Sequence, residues 1–256
     1  MSEKFEFPKL YTEFAKYYDR LENQYRDYPR ESQWIADLLI ERQCRDVIDL
    51  SCGTGNHLAI LRKIMPQVNL IGMDASREMI LLAEKKMEKV PLIMSDFLHF
   101  PFRKGTFDAA LCMYWSLAGL NESLVRNLFA QASYILKPGG TFVFDTESAE
   151  GIKENLLNAP FIDGFFNDPE ENIAVIRANF STKVEPDLVD WRAYYLLETD
   201  GVSELKTDRM NLRFYSRNKL ESYLEESGFK VSKIFSGPGV DYFEKSPSLY
   251  FIAEKV

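Results

Sequence analysis

The chain has few of the residues that metal or disulfide chemistry needs. Only three cysteines, Cys44, Cys52 and Cys112, and two histidines, His57 and His99, occur in 256 residues. No two cysteines form a C-x-x-C pair, and the histidine spacing matches no ligand pattern, so no metal site is expected. An odd, low cysteine count argues against a disulfide framework and fits a reducing compartment. No apolar run approaches the ~20 residues that a membrane span needs. Met1-Ser2-Glu3-Lys4-Phe5-Glu6 lacks the basic-then-apolar order of a signal peptide. A cytoplasmic protein with no membrane partner is the expectation. Positive charge is also in deficit: 31 Lys and Arg against 39 Asp and Glu leave a net charge of −8. Phosphate neutralisation drives nucleic-acid affinity, so this balance disfavours a duplex or transfer-RNA partner. There is no internal repeat and no low-complexity stretch.

What the chain does have is hydrophobic residues, 46% of the total, in two kinds of pattern. Trp34, Ile35, Leu38 and Leu39 recur at helical spacing, and the first 40 residues read as helices. From Asp46 the pattern alternates. Val47-Ile48-Asp49-Leu50 is a short buried strand. A helix from Asn56 to Met65 follows and stops at Pro66. Leu70 to Asp74 is a second strand, and Ser76 caps a helix from Arg77 to Lys89. Leu92-Ile93-Met94 and Phe107 to Cys112 are strands three and four. A helix from Glu122 to Leu136 closes at Lys137-Pro138-Gly139-Gly140, a structural turn. Thr141 to Asp145 is strand five. Such alternation predicts a parallel sheet with helices on both faces, and ligands at the carboxyl ends of its strands.

After residue 150 the helices drop out. Ile173–Phe180, Leu188–Glu198 and Val202–Phe214 read as three strands of an antiparallel meander, separated by Glu185-Pro186-Asp187 and Thr199-Asp200-Gly201. Ser216 then caps a helix from Arg217 to Glu226, Gly228 ends it, and Phe229–Phe235 and Ser248–Ala253 are strands.

One constellation carries chemistry. Asp49 ends the first strand, and Gly53 and Gly55 follow in a loop where a Cβ would obstruct both a sharp turn and a ligand. Asp74 ends the second strand, and Asp96 follows the third. Three acids on one crevice edge suit a cationic adenosyl ligand and repel a pyrophosphate. Asp74 is placed for ribose hydroxyls. Asp96 is placed for the adenine amine, beside the Phe97 main-chain N–H, and Asp49 lies at the charged end. A dinucleotide fingerprint has a third glycine where this chain has Leu58.

Val47-Ile48-Asp49-Leu50-Ser51-Cys52-Gly53-Thr54-Gly55 resembles the first motif of class I S-adenosylmethionine (SAM)-dependent methyltransferases. Ile71 to Ile80, with Asp74, Ala75 and Met79, is similar to their second-strand motif. Ser95-Asp96-Phe97 is similar to their adenine-contacting motif, and Leu136 to Gly140 to the turn before their fifth strand. Ser51 stands where the family often has glycine or alanine. Ala15-Lys16-Tyr17-Tyr18-Asp19 and the late insertion are similar to the branch containing amino-sugar and glycine/sarcosine-type N-methyltransferases.

The resemblance implies SAM as cofactor and a Rossmann-like α/β fold. Its seven-stranded sheet has helices on both faces, an antiparallel last strand and an inserted antiparallel β-meander roof. It implies four segments: a helical cap (1–40), a SAM-binding core (41–150), the roof over the acceptor site (151–215) and the last core elements (216–256). Cofactor contacts are expected at Tyr18, Arg26, Asp49, Ser51, Cys52, Gly53, Gly55, Asp74, Ala75, Met79, Asp96, Phe97, Cys112 and Met113. Tyr114, Trp115 and Ser116, after strand four, are the acceptor-site candidates. Cys52 and Cys112 read as small buried residues, His57 as structural, and His99 as lying beside adenine or at the surface. Asp/Asn-Pro-Pro-Tyr and Pro-Cys motifs of DNA methyltransferases are absent. The expected reaction is methyl transfer to N or O of a small molecule by a monomer or homodimer. An RNA methyltransferase and a non-catalytic SAM-binding module are the alternatives.

Overall fold

The computed structural model describes residues 8–87, 89–149, 157 and 160–256. The first seven residues of the expected cap, and the expected boundary at 150–151, lie outside them. The helices are α1 (Tyr18–Glu22), α2 (Tyr28–Glu41), α3 (Asn56–Ile64), α4 (Arg77–Lys86), α5 (Glu122–Ile135) and α6 (Arg217–Glu226). The first strands are β1 (Asp46–Asp49), β2 (Asn69–Asp74), β3 (Leu92–Met94), β4 (Phe107–Cys112), β5 (Leu136–Glu147) and β6 (Phe161–Asp168). They are followed by β7 (Ile173–Glu185), β8 (Leu188–Thr199), β9 (Val202–Arg213), β10 (Phe229–Gly237), β11 (Val240–Asp241) and β12 (Ser248–Lys255). Two compact units result: Met1–Asp27 with Lys153–Leu212, and Tyr28–Ile152 with Arg213–Val256. Among the described residues, no helix is long and apolar enough to cross a membrane.

The larger unit is a mixed sheet in the order β11-β10-β12-β5-β4-β1-β2-β3. Its central strands β1, β4, β5 and β12 bury both faces, as their near-continuous apolar runs require. Ile48, Ala110, Phe142, Phe144 and Phe251 point into one core with Leu128, Phe129, Leu220 and Leu224 of α5 and α6. Their neighbours Val47, Ala109, Leu111, Val143 and Ile252 point into the other, with Ile35 and Leu39 of α2, Leu58 of α3 and Ala83 of α4. The strand β1 pairs in parallel with both β2 and β4, so the strand order reverses there. The carboxyl end of that reversal is the crevice in which ligands of this architecture bind.

Seven strands are implied by the resemblance, and the sheet has eight. The extra strand, β11, is two residues long and folds back on β10 through Pro238-Gly239, where Gly239 takes a φ of 72°. Such a short hairpin leaves no periodicity in the sequence. The antiparallel final strand is present as β12, paired with β5. The expected turn at Lys137–Gly140 is instead the start of β5, an irregular stretch of strand where the register of β4 against β5 jumps from Phe107–Leu136 to Ala109–Thr141. Gly139 takes a φ of 75°, and a Cβ on Gly140 would lie 2.8 Å from the Lys137 carbonyl oxygen.

The smaller unit holds a four-stranded antiparallel sheet, β6-β7-β8-β9. The sequence predicts three strands here. The missed strand, Phe-Ile-Asp-Gly-Phe-Phe-Asn-Asp, is rich in turn-forming residues. Gly164 serves as a close-approach point inside it, because a Cβ there would come within 2.9 Å of Leu21 Cδ2. One face of the sheet packs Val175, Ala193, Tyr195 and Leu197 against Phe14, Tyr17 and Leu21. Arg177 is buried on that face between Glu22 and Asp163. A buried guanidinium needs such partners, because an unpaired one would be costly.

Candidate functional site

The site forms where β1, β2, β4 and β5 end. Val47 and Ile48 drive β1 into the core, and Asp49 is carried in behind them, 2% exposed. Its Oδ1 accepts the Ser51 N–H at 3.2 Å. Burial pushes the Asp49 carboxyl up to about 6, partly offset by nearby His57, while the charge of Asp74 adds to the rise. The chain then turns through Gly53 and Gly55, both at positive φ.

The two glycines do different work. A Cβ on Gly53 would meet nothing within 4 Å, whereas one on Gly55 would lie 2.4 Å from Met87 Cε. Gly53 therefore leaves the crevice open, and Gly55 lets α3 start against the end of α4. Lys86 braces the loop from outside, donating to Thr54 Oγ1 at 2.9 Å and to Asn56 Oδ1 at 2.6 Å.

Asp74 is tied into this loop. Its Oδ2 accepts the Gly53 N–H and its Oδ1 the Ser76 N–H, both at 2.8 Å. Burial raises its pKa, and these N–H groups and that of Ala75 act against the rise. With about four lone-pair sites on a carboxylate, acceptor capacity is left for a ligand hydroxyl. The same acid thus shapes the glycine loop and presents acceptors beside it. The Ser76 hydroxyl caps α4 by accepting the Met79 N–H at 3.2 Å, and Met79 itself is buried. Ser95 N–H bonds the Asp74 carbonyl at 3.0 Å, which sets where the chain leaves β3. Asp96 lies just beyond, exposed, with Oδ1 accepting the Leu98 N–H at 2.9 Å. The Phe97 carbonyl accepts from Asn127 Nδ2 at 2.5 Å, and His99 is exposed.

The segment after β4 meets the loop directly. Ser116 Oγ stands 2.9 Å from Ser51 Oγ and 2.9 Å from the Met113 carbonyl oxygen. Ser51 Oγ in turn lies 3.4 Å from Cys112 Sγ. The departure from a glycine or alanine at position 51 is therefore used: its hydroxyl joins the first loop to the acceptor-site candidates. Cys52, Cys112 and Met113 are buried. Burial holds the Cys112 thiol up at about 12 and the Cys52 thiol well above its ordinary value, so neither is a nucleophile.

Tyr114 and Trp115 take φ values of 64° and 55°. Two successive non-glycine residues in that region are rare and strained, a condition concentrated at functional sites. The fully buried Asp145 at the end of β5 holds them, its Oδ1 accepting the Tyr114 N–H at 2.5 Å and the Trp115 N–H at 3.4 Å. The sequence reading missed Asp145, although the signal was present: it is another acid at the carboxyl end of a parallel strand.

A second missed feature lies behind the loop. Glu31, 3% exposed, accepts from Tyr250 OH at 2.6 Å and lies 2.9 Å from His57 Nε2. These residues are far apart in sequence, so no local pattern joins them. Tyr18 and Arg26 belong to the smaller unit, where Tyr18 opens α1 with its ring 5.9 Å from that of Tyr11.

Residues 47–140 match a family described as a methyltransferase domain. A demethylmenaquinone methyltransferase of Thermotoga maritima is 25% identical, over 90% of this chain and 94% of that protein. An S-adenosylmethionine-dependent methyltransferase from Clostridium acetobutylicum superposes with a TM-score of 0.80 at 23% identity, covering 96% of this chain and 98% of that one. The sugar N-methyltransferase KedS8 of a Streptoalloteichus species superposes with a TM-score of 0.78 at 21% identity, covering 100% and 96%.

Proposed function

We propose that the chain is a SAM-dependent methyltransferase of class I and that it methylates a nitrogen of a small amine or amino sugar. The observation that carries this reading is the Tyr114–Trp115 turn, two aromatic residues fixed over a buried carboxylate at the strand-order reversal. Aromatic faces and nearby carboxylates suit a cationic substrate. The fold likeness to a sugar N-methyltransferase along the whole chain supports the same class. The net charge of −8 weighs against an RNA acceptor.

The residues present fit the cofactor. The space beside Gly53 is one that a Cβ would invade, and Asp49 is a carboxyl that burial pushes upward, in reach of the loop. In this reading Asp74 receives the ribose hydroxyls, Asp96 and Phe97 face the adenine, and Asp49 faces the ammonium and sulfonium end. When bound, SAM supplies an electrophilic methyl group. The protein's part is to orient the acceptor and exclude water, which is where most of the rate of such a transfer arises. Asp145 is a positioning residue, acting through the backbone of Tyr114 and Trp115.

The test is incubation with methyl-labelled SAM and a panel of small amines that includes amino sugars. Label is expected on the nitrogen of at least one member. Transfer to none of them, with cofactor binding intact, overturns the proposal.

Asp49 adds a pH dependence. Its carboxylate is the form that attracts an ammonium, and it is largely protonated below about 6. Affinity for S-adenosylhomocysteine, which keeps the ammonium, is expected to rise from pH 5 to 7 and then level. The slope approaches about tenfold per unit on the acid side. Asp49→Asn should flatten the curve and lower the neutral-pH affinity. A flat wild-type profile in calorimetric titrations sinks this assignment.

A further inference from the structure

We propose that Ser51 and Ser116 are positioning residues that couple the cofactor loop to the Tyr114–Trp115 turn through competition for a single hydroxyl proton. The proposal rests on the reading of the Gly53 loop as the cofactor site. Tyr114 and Trp115 both have left-handed φ, 64° and 55°. That is the φ pattern at the centre of a type I′ turn, where glycine, asparagine and aspartate dominate. Two aromatic residues keep it only where the surroundings over-determine it.

The surroundings do so at one peptide. The unit joining Met113 to Tyr114 is planar, so its carbonyl and its N–H move together. The carbonyl oxygen lies 2.9 Å from Ser116 Oγ, and the N–H donates to Asp145 Oδ1 at 2.5 Å. Rotation of that plane breaks both bonds. Asp145 is fully buried, which fixes its side of the clamp. The Ser116 side is the adjustable one.

It is adjustable because the Ser116 hydroxyl has one proton and two acceptors. The Met113 carbonyl oxygen and Ser51 Oγ each lie 2.9 Å from Ser116 Oγ. Ser51 keeps its oxygen as an acceptor, because its own proton has a resting place on Cys112 Sγ, 3.4 Å away. A proton directed at Ser51 is lost to Met113, and the clamp is half made. A proton directed at Met113 completes it.

Ser51 is where the cofactor loop enters this balance. Its N–H donates to Asp49 Oδ1 at 3.2 Å, beside the acid that faces the ammonium in the reading above. A donor group arriving there takes up the acceptor capacity of Ser51 Oγ. The Ser116 proton then turns to Met113, and the aromatic turn is fixed when the loop is occupied. Alanine at position 51 leaves that proton with Met113 permanently.

The test is amide hydrogen exchange at Tyr114 and Trp115 in the full chain, read by NMR after nitrogen-15 labelling of tyrosine and tryptophan. Without ligand, the two alanine variants should depart from wild type in opposite directions. Ser116→Ala removes one arm of the clamp, and exchange should be about three- to tenfold faster, the span of one neutral hydrogen bond. Ser51→Ala completes the clamp, and exchange should be slower than in wild type. The double variant should match Ser116→Ala, because Ser51 acts only through the Ser116 proton. Residues that merely support the fold would move exchange in one direction. Saturating S-adenosylhomocysteine should slow exchange in wild type and add nothing in Ser51→Ala. Variants that shift exchange the same way, or not at all, overturn the proposal. So does a ligand-induced slowing that is as large in Ser51→Ala as in wild type. Failure of the cofactor reading shows separately, as no S-adenosylhomocysteine binding by the wild type in calorimetry, and it overturns the coupling as well.

Discussion

Asp74→Ala is expected to weaken S-adenosylhomocysteine binding by about thirty- to a hundredfold, or more. A charge-assisted hydrogen-bond pair to a ribose is worth roughly 2–3 kcal/mol, and tenfold in affinity corresponds to about 1.4 kcal/mol. The effect should exceed the ligand contact alone, because Asp74 also anchors the Gly53 and Ser76 N–H groups. Removing it frees the glycine loop and one support of the α4 start together. Asp74→Asn keeps one acceptor oxygen and the side-chain shape, so it should fall between the two. Calorimetric titration gives the affinities, and circular dichroism separates loss of binding from loss of fold. An Asp74→Ala variant that binds within about threefold of wild type contradicts the role given to this acid.

Gly53→Val is expected to bring cofactor binding below detection while leaving the protein folded. The backbone at Gly53 has a φ of 52°, so a side chain there carries a strain of about 1–2 kcal/mol. A Cβ there meets no protein atom within 4 Å, so the added volume enters the crevice. Gly55→Ala is the contrast. Its Cβ drives into Met87, between α3 and α4, and the first loss there should be thermal stability. Comparing melting temperature and S-adenosylhomocysteine affinity for both variants separates the two glycines. A Gly53→Val protein with wild-type affinity removes the glycine loop from the site.

The parts of this site that could be read from sequence are those set by local pattern. Buried parallel strands are short apolar runs, and an acid or glycine at the end of each is conspicuous. Asp49, Gly53, Gly55, Asp74 and Asp96 stand out for that reason. The cap at Ser76 is similarly local. What escaped depends on distance in the chain or on backbone strain. Glu31 reaches Tyr250 from the far end of the sequence. The left-handed Tyr114 and Trp115 contradict the preference of their own residue types and exist because Asp145 holds them. The strand β6 hides behind Asp163, Gly164, Asn167 and Asp168, residues that on their own favour turns. Nothing local in the sequence tells that the Ser51 hydroxyl contacts Ser116 and Cys112, which lie more than 60 residues away.

The central claim is that the crevice around Asp49, Gly53 and Asp74 holds an adenosyl cofactor with a cationic amino-acid end. Titration of the wild-type chain with S-adenosylhomocysteine and, in parallel, with NAD tests it most directly. The account predicts saturable binding and a raised melting temperature with S-adenosylhomocysteine, and neither with NAD. Stabilisation by NAD with none by S-adenosylhomocysteine would contradict it.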